Sequence, residues 1–183
     1  MITPMNTFEQ IHLWGPTFCS YLKELALEGE RKEATIIGAS GRDESNPAIR
    51  VATRYKIVDP AVLAQVREAF RANNQWGFDL HRGSEALPVV EALKYTSGGF
   101  YRSHTDWSPT YSERKLSMTV QLSPGDEYTG GAVKLFDGPE PLVASKEVGA
   151  ALIWPAWTLH EVEPVKAGER WCLVAWMLGP RFV

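Results

Sequence analysis

A chain of 183 residues is long enough to fold as one domain with a substantial core. Hydrophobic residues make up 44%, charged residues 22% and aromatics 11%, an ordinary globular balance whose seven tryptophans suit an aromatic-rich β architecture. The net charge of -3 lacks the strong positive field that phosphate binding needs, so nucleic acid is not expected as the main partner.

Met1 to Gln10 has neither a basic stretch nor an apolar one, so no signal peptide is expected. No apolar run reaches ~18 residues, so neither a transmembrane helix nor a membrane partner is expected. Cys19 and Cys172 are far apart and outside any metal-type pair, which fits free thiols in a reducing compartment; the expected location is the cytoplasm.

Phe18, Tyr21, Leu22 and Leu25 recur at helical spacing and predict a helix over Phe18 to Glu28, ended by Gly29. Ala34 to Ile37 reads as a short strand. Gly38 to Pro47 reads as a loop and Arg50 to Val58 as a strand. Asp59-Pro60 is a helix start, with Asp as N-cap and Pro at the first helical position. That helix runs to Asn73 and buries Val62, Val66, Ala69 and Phe70; Trp76 to Leu80 is strand-like.

From Leu87 the pattern changes to short strands: Val89–Tyr95, Phe100–Asp106, Lys115–Leu122, Ala132–Asp137, Ala150–Trp154, Leu159–Pro164 and Arg170–Leu178. Turn sequences such as Ser97-Gly98-Gly99 and Gly130-Gly131 separate them, which predicts a barrel or sandwich with helices on one sheet, an α+β domain that is mainly β. Residues 1–86 then support a core at 87–180 within a single domain.

In a strand, residues two apart share a face, so His104 and Asp106 project together. His160 begins another strand. Two His and one carboxylate on adjacent strands leave open coordination positions and mark non-haem Fe(II) oxygenases. His-x-Asp alone is a weak signal, because a histidine hydrogen-bonded to an aspartate has the same spacing. Arg170 strengthens it. An open iron site needs an electron donor, 2-oxoglutarate is a dianion, and a planar guanidinium matches its distal carboxylate.

Strand alternation nominates further residues. Leu116, Met118, Val120 and Leu122 should face the helices, and Ser117, Thr119 and Gln121 should line the site as co-substrate contacts. Trp176 shares a face with Arg170 and is a candidate substrate contact. Arg102 shares the face of His104. Tyr101 joins that face only if a bulge interrupts the strand. Trp107 to Glu113 suits a lid. His12 and His81 lack partners at ligand spacing, and Lys134 reads as structural or solvated.

The segment Tyr95-Thr-Ser-Gly-Gly-Phe-Tyr101-Arg-Ser-His104-Thr-Asp106-Trp107 resembles the first metal motif of the prolyl 4-hydroxylase-like Fe(II)/2-oxoglutarate dioxygenases. Arg114 to Ser123 looks like their next core strand, and Tyr128 to Phe136 like the Gly-Gly hairpin after it. Leu159-His160-Glu-Val-Glu-Pro164 and Gly168-Glu-Arg170-Trp-Cys-Leu-Val-Ala-Trp176 resemble the second His motif and the 2-oxoglutarate Arg motif. The resemblance covers Leu87 to Pro180 with the motifs in family order. It implies a double-stranded β-helix (jelly roll) with helices on the larger sheet. It implies His104, Asp106 and His160 as iron ligands, Arg170 on the distal carboxylate, and Tyr95 as a hydrogen-bond partner of the same co-substrate. It also implies Fe(II), 2-oxoglutarate and O2 as requirements, with L-ascorbate a further candidate. The reaction implied is hydroxylation of an unactivated C–H, first of all in a peptidyl proline, with a free amino acid or other small molecule as the alternative.

Two readings of other classes compete. A non-catalytic binding module would use the same site only to hold a small anion or to sense iron. A cupin-type metal isomerase usually needs more His ligands and no Arg ten residues on. Oligomeric state is not legible.

Overall fold

The computed structural model describes residues 7–38, 41–82 and 87–181. The first half supplies β1 (Glu9–His12), α1 (Pro16–Glu28), β2 (Arg31–Glu33), β3 (Ile36–Ile37), β4 (Asp43–Glu44), β5 (Arg50–Val51), β6 (Thr53–Lys56) and α2 (Pro60–Ala72). The second half supplies β7 (Val89–Tyr95), β8 (Phe100–His104), β9 (Arg114–Gln121), β10 (Tyr128–Gly130), β11 (Val133–Phe136) and β12 (Leu142–Val143). It continues with β13 (Ala150–Pro155), β14 (Leu159–Val162), β15 (Val165–Gly168) and β16 (Arg170–Leu178).

Two antiparallel sheets make the frame. The larger runs β1-β13-β9-β16-β7-β6-β2 and the smaller β12-β11-β14-β8-β5. Two-stranded ribbons, β10-β15 and β3-β4, complete it. This is a jelly-roll core with helices on the larger sheet, as expected.

Strict alternation builds both faces of the larger sheet. Leu116, Met118 and Val120 of β9, Ala151 and Ile153 of β13, and Trp171, Leu173, Ala175 and Met177 of β16 are buried in one cluster with Leu22 of α1 and Val66 and Phe70 of α2. Their neighbours turn inward. Leu93, Tyr95, Leu152, Trp154 and Cys172 meet Val133, Leu135 and Val162 of the smaller sheet in a second cluster. The cavity described below opens within this inter-sheet layer.

α2 starts as its sequence dictates: the Asp59 carboxylate accepts from the amides of Ala61 and Val62, both at 2.9 Å. α1 begins earlier than the apolar spacing implied, because Pro16 occupies the first turn. Its buried stripe is Cys19, Leu22 and Ala26, while Tyr21 is exposed.

Other expectations need correction. Trp76 to Leu80 is not a strand; Trp76 and Phe78 stack on each other, with ring centroids 6.2 Å apart. The strand expected over Arg50 to Val58 is broken after Val51, so β5 joins the smaller sheet beside β8 while β6 joins the larger beside β7. The region read as a loop from Gly38 contains β4, paired to β3; residues 39 and 40 lie outside the described residues. β1, at an edge of the larger sheet, was not foreseen, because Glu-Gln-Ile-His offers a single apolar residue. The seam expected at residue 86 also lies outside the described residues. Three first-half strands nevertheless belong to the larger sheet, so the first half does more than support the second.

Candidate active site

His104 ends β8, His160 lies in β14, and the two are direct partners across the smaller sheet. Asp106 sits just beyond β8 rather than in it, where its amide and that of Trp107 both donate to the carbonyl of Ala156 at 2.9 Å. One Asp106 oxygen lies 3.8 Å from His104 Nε2 and the other 3.5 Å from His160 Nε2. Metal–ligand bonds of roughly 2.0–2.2 Å reach across such gaps to one shared ion.

The surroundings prepare these groups for a cation. Each imidazole uses Nδ1 to bond the carbonyl two residues earlier, His104 to Arg102 at 2.8 Å and His160 to Thr158 at 2.9 Å. A carbonyl accepts only, so Nδ1 carries the proton and the Nε2 lone pair faces Asp106. Burial, reinforced by the neighbouring His160, pushes the His104 pKa down to about 3. Burial opposes the charge on Asp106, but the two imidazoles, Arg114 and the Ser117 hydroxyl outweigh it and hold its pKa down at about 2. At neutral pH His104 is therefore neutral and Asp106 anionic, the forms that bind metal.

Register explains a reversal in β8. His160 faces His104 but Val162 faces Tyr101, so two steps on β14 oppose three on β8. The extra residue is a bulge that switches parity. Tyr101 thereby comes to the side of His104 and stacks on it, centroids 3.4 Å apart. Arg102 turns away: its Nε donates to Ala48 O at 2.6 Å and its guanidinium lies over Phe100. Expected beside the site, Arg102 lines neither cavity there.

Behind the three ligands is a cavity of about 440 Å³ between the sheets, lined in part by Tyr95, Thr119, Val133, Trp154, Arg170 and Trp176. Arg170 is 2% exposed. Its Nη1 lies 3.3 Å from Cys172 Sγ and its guanidinium 5.5 Å from the Tyr95 ring, and among the described residues no carboxylate pairs with it. Gly131 permits this approach; at φ 61° it sits where a Cβ would come within 3.2 Å of Arg170 Cδ. Trp154 also lines the cavity, and its indole N–H is buried without a partner among the described residues. Burial raises the Tyr95 pKa to about 12, so its hydroxyl stays protonated and can donate. A buried cation with spare donors around it suits an anionic guest.

Ser117 and Gln121 face inward but do not line this cavity. Ser117 Oγ donates to the Asp106 carboxylate at 2.6 Å. Gln121 Nε2 donates to Ser123 O at 2.6 Å and borders a smaller hollow on the far side of Arg170. Ser117 thus orients a metal-binding carboxylate, and Ser117→Ala is expected to weaken metal affinity by about 10–100-fold without unfolding the chain. A metal titration of that variant checks this; unchanged affinity would show the bond to be incidental.

Outside the ligands, a groove of about 1,090 Å³ runs past Trp107, Tyr111, Arg114 and Trp176. Tyr111 of the expected lid donates to Asp43 of the β3-β4 ribbon at 3.2 Å, so the two segments meet over the groove. His12 lies 3.8 Å from Glu147 and Lys134 pairs with Glu163, both away from the site. His81 borders neither the cavity nor the groove. Arg50 and Arg114, which line the groove, were not foreseen. Each is polar, and nothing in its local pattern points to the metal.

The family model of the 2OG-Fe(II) oxygenase superfamily matches residues 90–178. That span holds all three candidate ligands and Arg170. The core of this chain, residues 90–178, is therefore that of a 2OG-Fe(II) oxygenase. It is a 2-oxoglutarate-dependent dioxygenase, with Fe(II), 2-oxoglutarate and O2 as its requirements, and the ligand set and buried guanidinium fit the first two. A PKHD-type hydroxylase of Sphingopyxis alaskensis is 29% identical over 170 residues, covering 89% of this chain and 74% of that protein. Another, from Maricaulis maris, is 32% identical over 118 residues, covering 63% and 52%. Among solved structures, a prolyl-4-hydroxylase of Pseudomonas putida superposes with a TM-score of 0.75 at 20% identity, covering 95% of this oxygenase and 93% of that chain. A prolyl hydroxylase from Trichoplax adhaerens, in complex with a hypoxia inducible factor peptide fragment, gives 0.76 at 19%, covering 94% and 84%. These superpositions establish the shared fold.

Proposed function

We propose that this oxygenase hydroxylates a prolyl residue in a peptide or protein. The observation that carries the reading is the groove. It is lined by His104 and Asp106 together with Trp107, Tyr111 and Trp176, so a peptide chain lying in it brings a residue against the metal ligands. Relatives named as PKHD-type and prolyl hydroxylases support it.

In this reading His104, Asp106 and His160 hold Fe(II), and Arg170 binds the distal carboxylate of 2-oxoglutarate with Tyr95 and Thr119 beside it. The bound iron supplies oxidative decarboxylation: 2-oxoglutarate, O2 and a C–H group become succinate, CO2 and C–OH. The chain's own residues orient and exclude. Ser117 and the carbonyls of Arg102 and Thr158 fix the ligands. Leu93, Val133 and Val162 give the cavity dry walls, which limit loss of reactive species to water. Trp107, Tyr111 and Trp176 offer flat apolar surfaces to substrate. No side chain has to act as a general base.

The test is incubation with Fe(II), 2-oxoglutarate and air, using proline-containing peptides and free amino acids. Peptides should gain one oxygen with equimolar succinate. Oxidation of free amino acids alone would contradict the reading, and absence of succinate under every condition would favour a non-catalytic binding module.

A further inference from the structure

Five residues stand where the inner cavity opens into the groove: Arg50, Tyr101, His104, Asp106 and Trp176. Arg50 is the guanidinium among them. It faces Tyr101 across the β5-β8 pairing, and its Cζ lies 4.5 Å from the centre of the Tyr101 ring, which in turn stacks on His104. Arg50 is therefore separated from a metal-facing imidazole by a single aromatic ring.

Its hydrogen bonding is unfinished. A guanidinium has five N–H donors. Nη1 donates to Thr35 O at 2.8 Å, whereas Nε is buried with no partner among the described residues. The acids of the groove are committed elsewhere. Asp43 and Glu91 both lie against Arg54, at 3.8 and 3.1 Å, and Asp106 belongs to the metal triad. A second guanidinium, that of Arg114, lines the same groove. It is held between the rings of Tyr111 and Trp176 and donates to the Asp106 carbonyl. A partly desolvated cation without a counter-charge is costly, and a carboxylate arriving with a ligand removes that cost. The co-substrate does not need Arg50, because Arg170 lies away from the groove, towards the closed end.

We infer that the substrate carries a carboxylate close to the carbon that is hydroxylated, and that Arg50 binds it. This rests on the prolyl reading for its context, though not for its test. The carboxylate has two possible sources: an Asp or Glu side chain flanking the proline, or the α-carboxylate of a terminal or free amino acid.

The experiment is fluorescence polarisation under anaerobic conditions, with the protein loaded with Fe(II) and 2-oxoglutarate. The probes are labelled, end-capped prolyl peptides that pair Asp with Asn beside the proline, and a prolyl C-terminus free or amidated. Unlabelled free amino acids and their amides serve as competitors. The carboxylate form should bind about 10- to 100-fold more tightly than its neutral twin. Arg50→Gln should erase that preference, and Arg50→Glu should transfer it to a peptide with Lys at the same place, a gain that misfolding cannot produce. Equal binding of charged and neutral forms by wild type would overturn the inference. So would a preference that survives Arg50→Gln, or an Arg50→Gln variant that loses 2-oxoglutarate as severely as peptide. If acidic and neutral peptides bind and are later hydroxylated alike, the inference fails and the prolyl reading stands. If only the probe with a free prolyl C-terminus binds, free amino acids displace it in an Arg50-dependent way and free amino acids alone are later hydroxylated, Arg50 keeps its role and the prolyl reading fails.

Discussion

Alanine in place of His104, Asp106 or His160 is expected to take succinate release and substrate hydroxylation down to background, a loss of roughly 10³-fold or more, or about 4 kcal/mol of barrier. The three losses should be distinguishable. Asp106 supplies the one negative charge of the triad and is oriented by Ser117, the amide-to-Ala156 bonds and Arg114, so its removal strips charge as well as a ligand. His160 is buried and its partner position across the sheet is His104, so His160→Ala also leaves a cavity beside Trp154. His104→Ala removes an imidazole stacked on Tyr101 and should disturb packing least deeply. Near-wild-type turnover in any one variant, measured as succinate per enzyme, would remove that residue from the ligand set.

Arg170→Met should separate binding from folding. The side chain is buried without a carboxylate partner, so a flexible apolar replacement relieves desolvation; apo-protein stability should be unchanged or higher. Binding of 2-oxoglutarate should weaken by about 2–5 kcal/mol, the cost of truncating one partner of a buried charge pair, or roughly 30- to 5,000-fold. Arg170→Lys should recover part of the charge without the planar fork. Thermal melts beside calorimetric titration with 2-oxoglutarate check both halves. A large fall in melting temperature would mean that Arg170 chiefly supports the fold.

The centre of the site was legible because it depends on short-range regularities. Alternation of period two placed Arg170, Cys172, Val174 and Trp176 of β16 on the inner face and Trp171, Leu173, Ala175 and Met177 against the helices. The spacing from His104 to Asp106 survives even though Asp106 lies beyond the strand, because its backbone is fixed by Ala156. What failed depended on interruptions. One extra residue in β8 exchanged the expected positions of Tyr101 and Arg102. A break after Val51 carried Arg50 into the smaller sheet, opposite Tyr101, and no pattern in residues 50–58 announces which sheet each piece joins. Ser117 was correctly read as inward-facing, yet its bond to Asp106 joins β9 of the larger sheet to the segment just past β8 of the smaller, and alternation says nothing of such contacts.

Anaerobic calorimetry bears most directly on the whole proposal. Fe(II) should bind one equivalent, 2-oxoglutarate should bind tightly only after Fe(II), the first step should vanish in Asp106→Ala, and the second should be crippled in Arg170→Met. Undiminished Fe(II) affinity in Asp106→Ala, or 2-oxoglutarate binding indifferent to both iron and Arg170, would contradict it.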